Sequence, residues 1–144
     1  DVNTLGTSAS LGLNAAMTLR VKLHLVKDVP ANSPVGYGAT DVTKADTKLG
    51  LVAMGYADGI PRSAKNAGVS FNGQRAPIIG RVSMDQFVVD LGAASTAKSG
   101  DWVSIFGPGT GGEYTADDWA SASGSINYEL VTRIGPRVPR IYQL

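Results

Sequence analysis

The dipeptide Asn72-Gly73 constrains this chain more than any other feature, because it stands between two strand-like runs, residues 69–71 and residue 74 onward. The tightest hairpin turn needs positive φ at both central positions, and Asn followed by Gly accepts it at both. A hairpin is therefore expected here, and with it antiparallel neighbours. From Arg20 the residues alternate, with Val21, Leu23 and Leu25 on one side and Lys22, His24 and Val26 on the other, which is the period of a half-buried strand. Further apolar runs of strand length lie at residues 49–54, 76–82, 86–91 and 102–106. Six short strands joined by short, glycine-rich connections predict a mainly β fold, an antiparallel β-barrel-like domain rather than a set of βαβ units.

Two short helices are expected near the C-terminus. Thr115 followed three residues later by Asp118 has the spacing of a capping box, ahead of Trp119, Ala120 and Ala122, and Gly124 stops the helix. Ser125 is the expected cap of the next. There Ile126, Leu130 and Ile134 recur at helical spacing, and Gly135-Pro136 ends the run. At roughly 100° per residue, Tyr128 falls about 200° around from Ile126, away from the apolar stripe. An aromatic on that face needs another partner. Residues 1–16, rich in Ser, Thr, Gly, Asn and Ala, read as a linker or poorly ordered arm, so that the domain proper covers residues 17–144.

Composition removes several chemistries at once. The 144 residues suffice for one domain that buries about two thirds of its surface. With no cysteine and one histidine, His24, the chain has no thiolate nucleophile, no Cys-ligated zinc and no histidine pair, and no metal site is expected. Thirteen basic against twelve acidic residues, scattered along the chain, argue against a nucleic-acid surface, which needs clustered cations. No apolar run approaches the roughly 18 residues of a membrane span. The chain thus reads as soluble. It starts at Asp1 rather than Met, as expected of a processed protein or of a piece of a longer one. His24 reads as a solvated strand residue. Residues 107–112, Gly-Pro-Gly-Thr-Gly-Gly, lack the Lys-Ser/Thr ending of a phosphate loop and read as an ordinary long turn.

The tyrosines are more informative. Tyr37 lies between glycines in GYGAT (residues 36–40), where backbone or ligand can approach closely, Tyr56 follows an apolar run in GYADGIPR (55–62), and Tyr128 sits on the non-core helix face. Another segment, GRVSMDQ (80–86), sets polar groups between two apolar runs. From the pattern alone these tyrosines are either buried or rim residues with satisfied hydroxyls, or parts of a site.

Together with INYELVTRIGPRVPRIY (126–142), these segments, in this order and spacing, resemble the C-terminal β domain of bacterial alanine racemase. The resemblance covers nearly everything from residue 17 to 142. It implies pyridoxal phosphate as cofactor, a small amino acid, alanine, as substrate, D-alanine supply for cell-wall precursors, and a cytoplasmic head-to-tail homodimer with no nucleic-acid or membrane partner. An inversion at Cα is served by an acid/base group on each face. The resemblance implies that one is a cofactor lysine on an N-terminal (β/α)8 barrel, which these residues do not contain, and that the other is Tyr37. A free phenol titrates at about 10, so this base needs nearby positive charge or hydrogen bonds, most of them from that barrel. It further implies that the Met84 N–H meets the substrate carboxylate, that Tyr128 binds the cofactor phosphate of its own subunit, and that Tyr56, Arg62, Arg81 and Ile126 line the substrate entryway. Tyr37 and Met84 of one subunit would complete the site on the other's barrel. Ser83 stands where this family often has cysteine, a small-for-small exchange. Alone, the chain is then expected to be inactive and to associate weakly or not at all. A stand-alone β-barrel binding module, and the same domain in a serine or broad-specificity racemase, are the alternatives that the motif residues leave open.

Overall fold

The computed structural model describes residue 6, residue 8 and residues 10–143. The chain order is β1 (Leu19–Val29), β2 (Pro34–Val35), β3 (Asp41–Val42), β4 (Thr47–Val52), a 3-10 turn (Tyr56–Asp58), β5 (Gly68–Phe71), β6 (Gln74–Pro77), β7 (Phe87–Asp90), β8 (Trp102–Phe106), and two helices, α1 (Ala116–Ser123) and α2 (Asn127–Arg133). Part of the expected arm at residues 1–16 lies outside the described residues. Among the described residues no helix is long and apolar enough to cross a membrane.

Six strands form one antiparallel sheet in the order β6-β5-β8-β1-β4-β7. A bridge between Ile78 and Val89 brings its two edge strands together, and the Ile79 N–H donates to the Val88 carbonyl at 3.0 Å. The sheet is thereby rolled into a nearly closed barrel. Its wall depends on β1 serving two neighbours. Residues 19–22 pair with β8, from Leu19 with Phe106 to Lys22 with Trp102, and residues 23–29 pair with β4, from Leu23 with Val52 to Val29 with Thr47.

The change of partner is made at a bulge. Between Leu23 and Leu25 the register advances two residues on β1 against one on β4, so His24 is the extra residue. This inverts the alternation expected from sequence. Leu25 is exposed at 49%, while Val26 packs against the core. His24 itself is exposed, as expected.

The Asn-Gly hairpin is present, with φ of 49° at Asn72 and 79° at Gly73 joining β5 to β6. The expected strand at 76–82 gives way after Pro77, apart from the Ile78 bridge, to irregular chain. A second, two-stranded sheet of β2 and β3 was not expected. Its strands, of two residues each, are too short to carry a period.

The core joins the inward residues of the wall, among them Leu19, Leu23, Val52, Val69, Phe87, Val89, Val103 and Ile105, to Trp119 of α1. The Trp119 ring meets Phe87 edge-on with centroids 6.2 Å apart, and its Nε1–H donates to the Ile105 carbonyl at 2.8 Å. That bond keeps the indole from burying an unpaired donor. Helix α1 starts with the expected capping box, in which Thr115 Oγ1 accepts from the Asp118 N–H at 3.1 Å and Asp118 Oδ2 accepts from the Thr115 N–H at 2.9 Å. Helix α2 buries Leu130, with Ile134 buried at its C-terminal cap. Ile126 departs from the expected stripe. It is the N-cap, extended in backbone and exposed at 63%, so the helical period does not reach it. Ser125, expected as the cap, instead directs its hydroxyl to the Glu129 carboxylate.

Candidate functional site

The Tyr37 loop is held at both ends. Its base is fixed by Thr43, fully buried, whose hydroxyl donates to the Pro30 carbonyl at 2.7 Å and accepts from the Ser33 N–H at 2.9 Å. Above it, β2 and β3 pair Pro34 with Val42 and Val35 with Asp41, and Tyr37 projects from the turn between them. The far side of the turn rests on the next motif. A Cβ placed on Gly36 would stand 3.3 Å from the Arg81 N and from the Gly80 Cα, and Asp41 Oδ2 accepts from the Gly80 N–H at 2.9 Å. Glycine at 36 and at 80 thus lets two backbones approach where side chains would hold them apart.

From Gly80 the connection continues. The Tyr56 N–H donates to the Ser83 carbonyl at 3.1 Å and the Ala57 N–H to the Met84 carbonyl at 2.9 Å, which ties the 3-10 turn to the Ser-Met-Asp-Gln segment. The turn is then tied to the chain after α2, because the Gly135 N–H donates to the Asp58 carbonyl at 2.9 Å. All four sequence motifs are therefore linked into one string of backbone contacts. Tyr37, Tyr56, Arg62, Arg81, Met84, Ile126 and Tyr128 all lie on it, and all are exposed. No hydrogen bond joins these side chains to one another among the described residues.

They share unused bonding capacity. Tyr37 is 79% exposed and Tyr128 74%, and among the described residues the hydroxyls of Tyr37, Tyr56 and Tyr128 have no hydrogen-bond partner. The guanidinium groups of Arg62 and Arg81 and the Met84 N–H have none either. Phenols are usually paired when packed, and a large aromatic left open on a surface suits contact with another body. Such a surface can donate hydrogen bonds to carboxylate or phosphate oxygens and exchange a proton through a phenol. The motif segments themselves contain no lysine.

Sequence reasoning missed the charged groups that tie this surface together. Asp58 is buried, its Oδ2 accepts from the Gly55 N–H at 3.0 Å, and its Oδ1 meets Arg137 Nη2 at 2.9 Å. The same nitrogen donates to Asp85 Oδ1 at 3.0 Å. Asp85 and Asp58 hold the Arg137 guanidinium above its usual pKa. Arg140 collects the carbonyls of Ile134, Gly135 and Val138 at 2.6–2.8 Å, securing the end of α2. The spacing of Gly55 and Asp58 is that of a cap, and it was the one sequence signal for this network.

Comparison with known proteins places the chain. Residues 16–142 match the family model described as alanine racemase, C-terminal domain. The chain is 52% identical over 139 residues to the alanine racemase of Streptomyces coelicolor and 54% identical over 139 residues to that of Frankia casuarinae, in each case over 96% of its own length. It spans about a third of those relatives, 35% and 36%. Among solved structures it resembles the alanine racemase from Streptomyces lavendulae with a TM-score of 0.91 and 53% identity, covering 99% of this chain and 37% of that one. The biosynthetic alanine racemase from Pseudomonas aeruginosa follows the same fold with a TM-score of 0.87 at 39% identity, over 98% of this chain and 38% of that one.

Proposed function

The chain belongs to the alanine racemase C-terminal domain family, and on that premise we propose that it works as this domain of a cytoplasmic, pyridoxal phosphate-dependent alanine racemase. The reaction interconverts L- and D-alanine, and the domain supplies one of the two acid/base groups. The observation that carries the reading is a set of donors on one connected string of loops that have no partner among the described residues, three phenols and the Met84 N–H.

In this reading Tyr37, as its phenolate, takes the Cα proton of L-alanine and becomes the phenol, and in the opposite direction the phenol returns a proton to Cα. The Met84 N–H holds the substrate carboxylate, which fixes Cα relative to the phenol. Tyr56, Arg62, Arg81 and Ile126 line an entryway whose bulk and positive charge admit a small amino acid and exclude larger ones. Pyridoxal phosphate, when bound, withdraws electrons from Cα and makes its proton removable. The exposed Tyr128 phenol suits a phosphate oxygen, and since the motif segments contain no lysine the remaining contacts fall to a barrel joined through residues 1–16 and to that of a second subunit. The chain by itself is therefore inactive.

The test is the full-length protein carrying this chain, assayed for racemisation in both directions, with Tyr37→Phe as the decisive variant. Loss of activity, greater from L to D, supports the reading. Near-parental rates in both directions overturn it. An absorbance characteristic of a lysine-bound cofactor, formed when pyridoxal phosphate is added to the isolated chain, would contradict the claim that the cofactor is held mainly elsewhere.

A further inference from the structure

One nitrogen links the two loops on which the proposed substrate contacts depend. Arg137 Nη2 lies 2.9 Å from Asp58 Oδ1 and 3.0 Å from Asp85 Oδ1. Asp58 caps the turn that begins at Tyr56, and Asp85 follows Met84 directly. We propose that Arg137 is a positioning residue, which through Asp58 and Asp85 sets the spacing between the Tyr56 turn and the Met84 backbone. The inference rests on the reading of Met84 as carboxylate contact and Tyr56 as part of the entryway.

The two carboxylates differ in a way that makes the bridge directional. Asp58 is largely buried, with a side chain 12% exposed, whereas that of Asp85 is 60% exposed. A buried carboxylate holds its cation in place because leaving it unpaired is costly, while an exposed pair by itself is weak. The guanidinium is thus anchored at the Asp58 side and steadies the exposed Met84-Asp85 side. Without it, two backbone hydrogen bonds, from Tyr56 to Ser83 and from Ala57 to Met84, would hold the loops together. The Ser83 carbonyl shares one planar peptide with the Met84 N–H, so the bond from Tyr56 sets the direction of that N–H, and what remains to be held is the spacing of the two loops. Arg137 acts on that variable through the neighbouring side chain.

The experiment uses the full-length protein carrying this domain. Arg137→Met keeps the length of the side chain and removes its charge. It is expected to raise KM for alanine about tenfold or more, with a smaller fall in kcat, on the scale by which misplacement of a binding group by about 1 Å is felt. Arg137→Lys, which can still bridge two carboxylates with one nitrogen, is expected to recover most of the loss. Cofactor absorbance and the dimer should be as in the parent. A second arm does not depend on activity. In the Met variant, amide exchange at Tyr56 and Ala57 should quicken while the β1 and β8 amides keep their protection. Kinetic constants within twofold of the parent, or unchanged exchange at both amides, would overturn the proposal. So would equal impairment of the Met and Lys variants with loss of cofactor or dimer, since that marks a structural role only. A parent protein that does not racemise alanine would refute the functional reading instead, and the exchange arm would still decide the bridge.

Discussion

Two glycine-rich loops, residues 36–40 and residues 107–112, look alike in sequence and have opposite chemistry in the folded chain. In the second, every glycine N–H is taken up by the chain's own groups. Glu113 folds back so that its carboxylate accepts from the Gly109 N–H at 3.0 Å and the Gly111 N–H at 2.8 Å, the donors that a phosphate would otherwise use. Arg75 closes the far side, donating to the carbonyls of Gly112 and Glu113 and to Asp118, with its guanidinium 4.4 Å from the centroid of the buried Tyr114 ring. The loop around Tyr37 leaves its phenol unpaired among the described residues, as the Ser-Met-Asp-Gln segment leaves the Met84 N–H. Glycine alone therefore does not mark a site. What sets the Tyr37 loop apart from the other is its unspent hydrogen-bonding groups.

The sharpest way to break this contrast is to exchange one oxygen in each region. In the full-length protein, Tyr37→Phe should lower racemisation by roughly 10²–10⁴-fold, the range for losing a general acid/base, whereas Tyr114→Phe should leave initial rates in both directions within about twofold. Equal effects would erase the distinction. Stability should respond in the opposite sense. Arg75→Ala leaves two carbonyls without their donor and uncovers Tyr114, and should cost about 2 kcal/mol, most of it from these contacts rather than from the half-exposed ion pair with Asp118. Arg62→Ala, on the open side, should change the urea midpoint little.

A smaller effect sharpens the site side. Gly80→Ala places a Cβ 3.2 Å from the Gly36 Cα and the Val35 carbonyl oxygen at φ 82°, and should cost about 1 kcal/mol, measured by urea unfolding. It should also impair racemisation, because it displaces the loop that holds Tyr37. The smallest effect concerns pH. Glu113 titrates below its ordinary value of 4.5, because its own N–H and then those of Gly109 and Gly111 stabilise the carboxylate against desolvation. A pKa lowered on folding contributes stability above the unfolded value that is lost as pH falls through the folded one. The difference in urea midpoint between the parent and Glu113→Gln should therefore be present at neutral pH and vanish in acid. A constant difference across that range would deny the carboxylate its part in filling the loop.

The same contrast shows what a sequence can convey. The Asn72-Gly73 turn was legible because its requirement is local, and so was the capping box of α1. The alternation of β1 was legible only as far as His24, since a bulge is set by how two partner strands compete for one, and nothing in Leu25 or Val26 announces it. The hairpin under Tyr37 was hidden by its shortness, and its anchor Thr43 resembles any loop threonine until its burial is seen. Ile126 looked like core because its spacing fits a helix that begins one residue later. As for the candidate site, the glycine-flanked tyrosines stood out. Whether their hydroxyls are spent, and that Asp58, Asp85 and Arg137 meet, depends on residues far apart in the chain.

The bridge from Ile78 to Val89 also bears on how this domain meets other chains. A sheet with open edges offers rows of backbone donors and acceptors to any extended peptide, and such edges invite fibrils and swapped strands. Here β7 turns its outer side toward Ile78 and Ile79, and β6 ends in Pro77, which has no N–H to offer. Little of the main barrel remains for strand addition. Recognition of another body must go through side chains and loops, so a change of partner can be made by altering a few exposed residues while the wall that carries them stays the same.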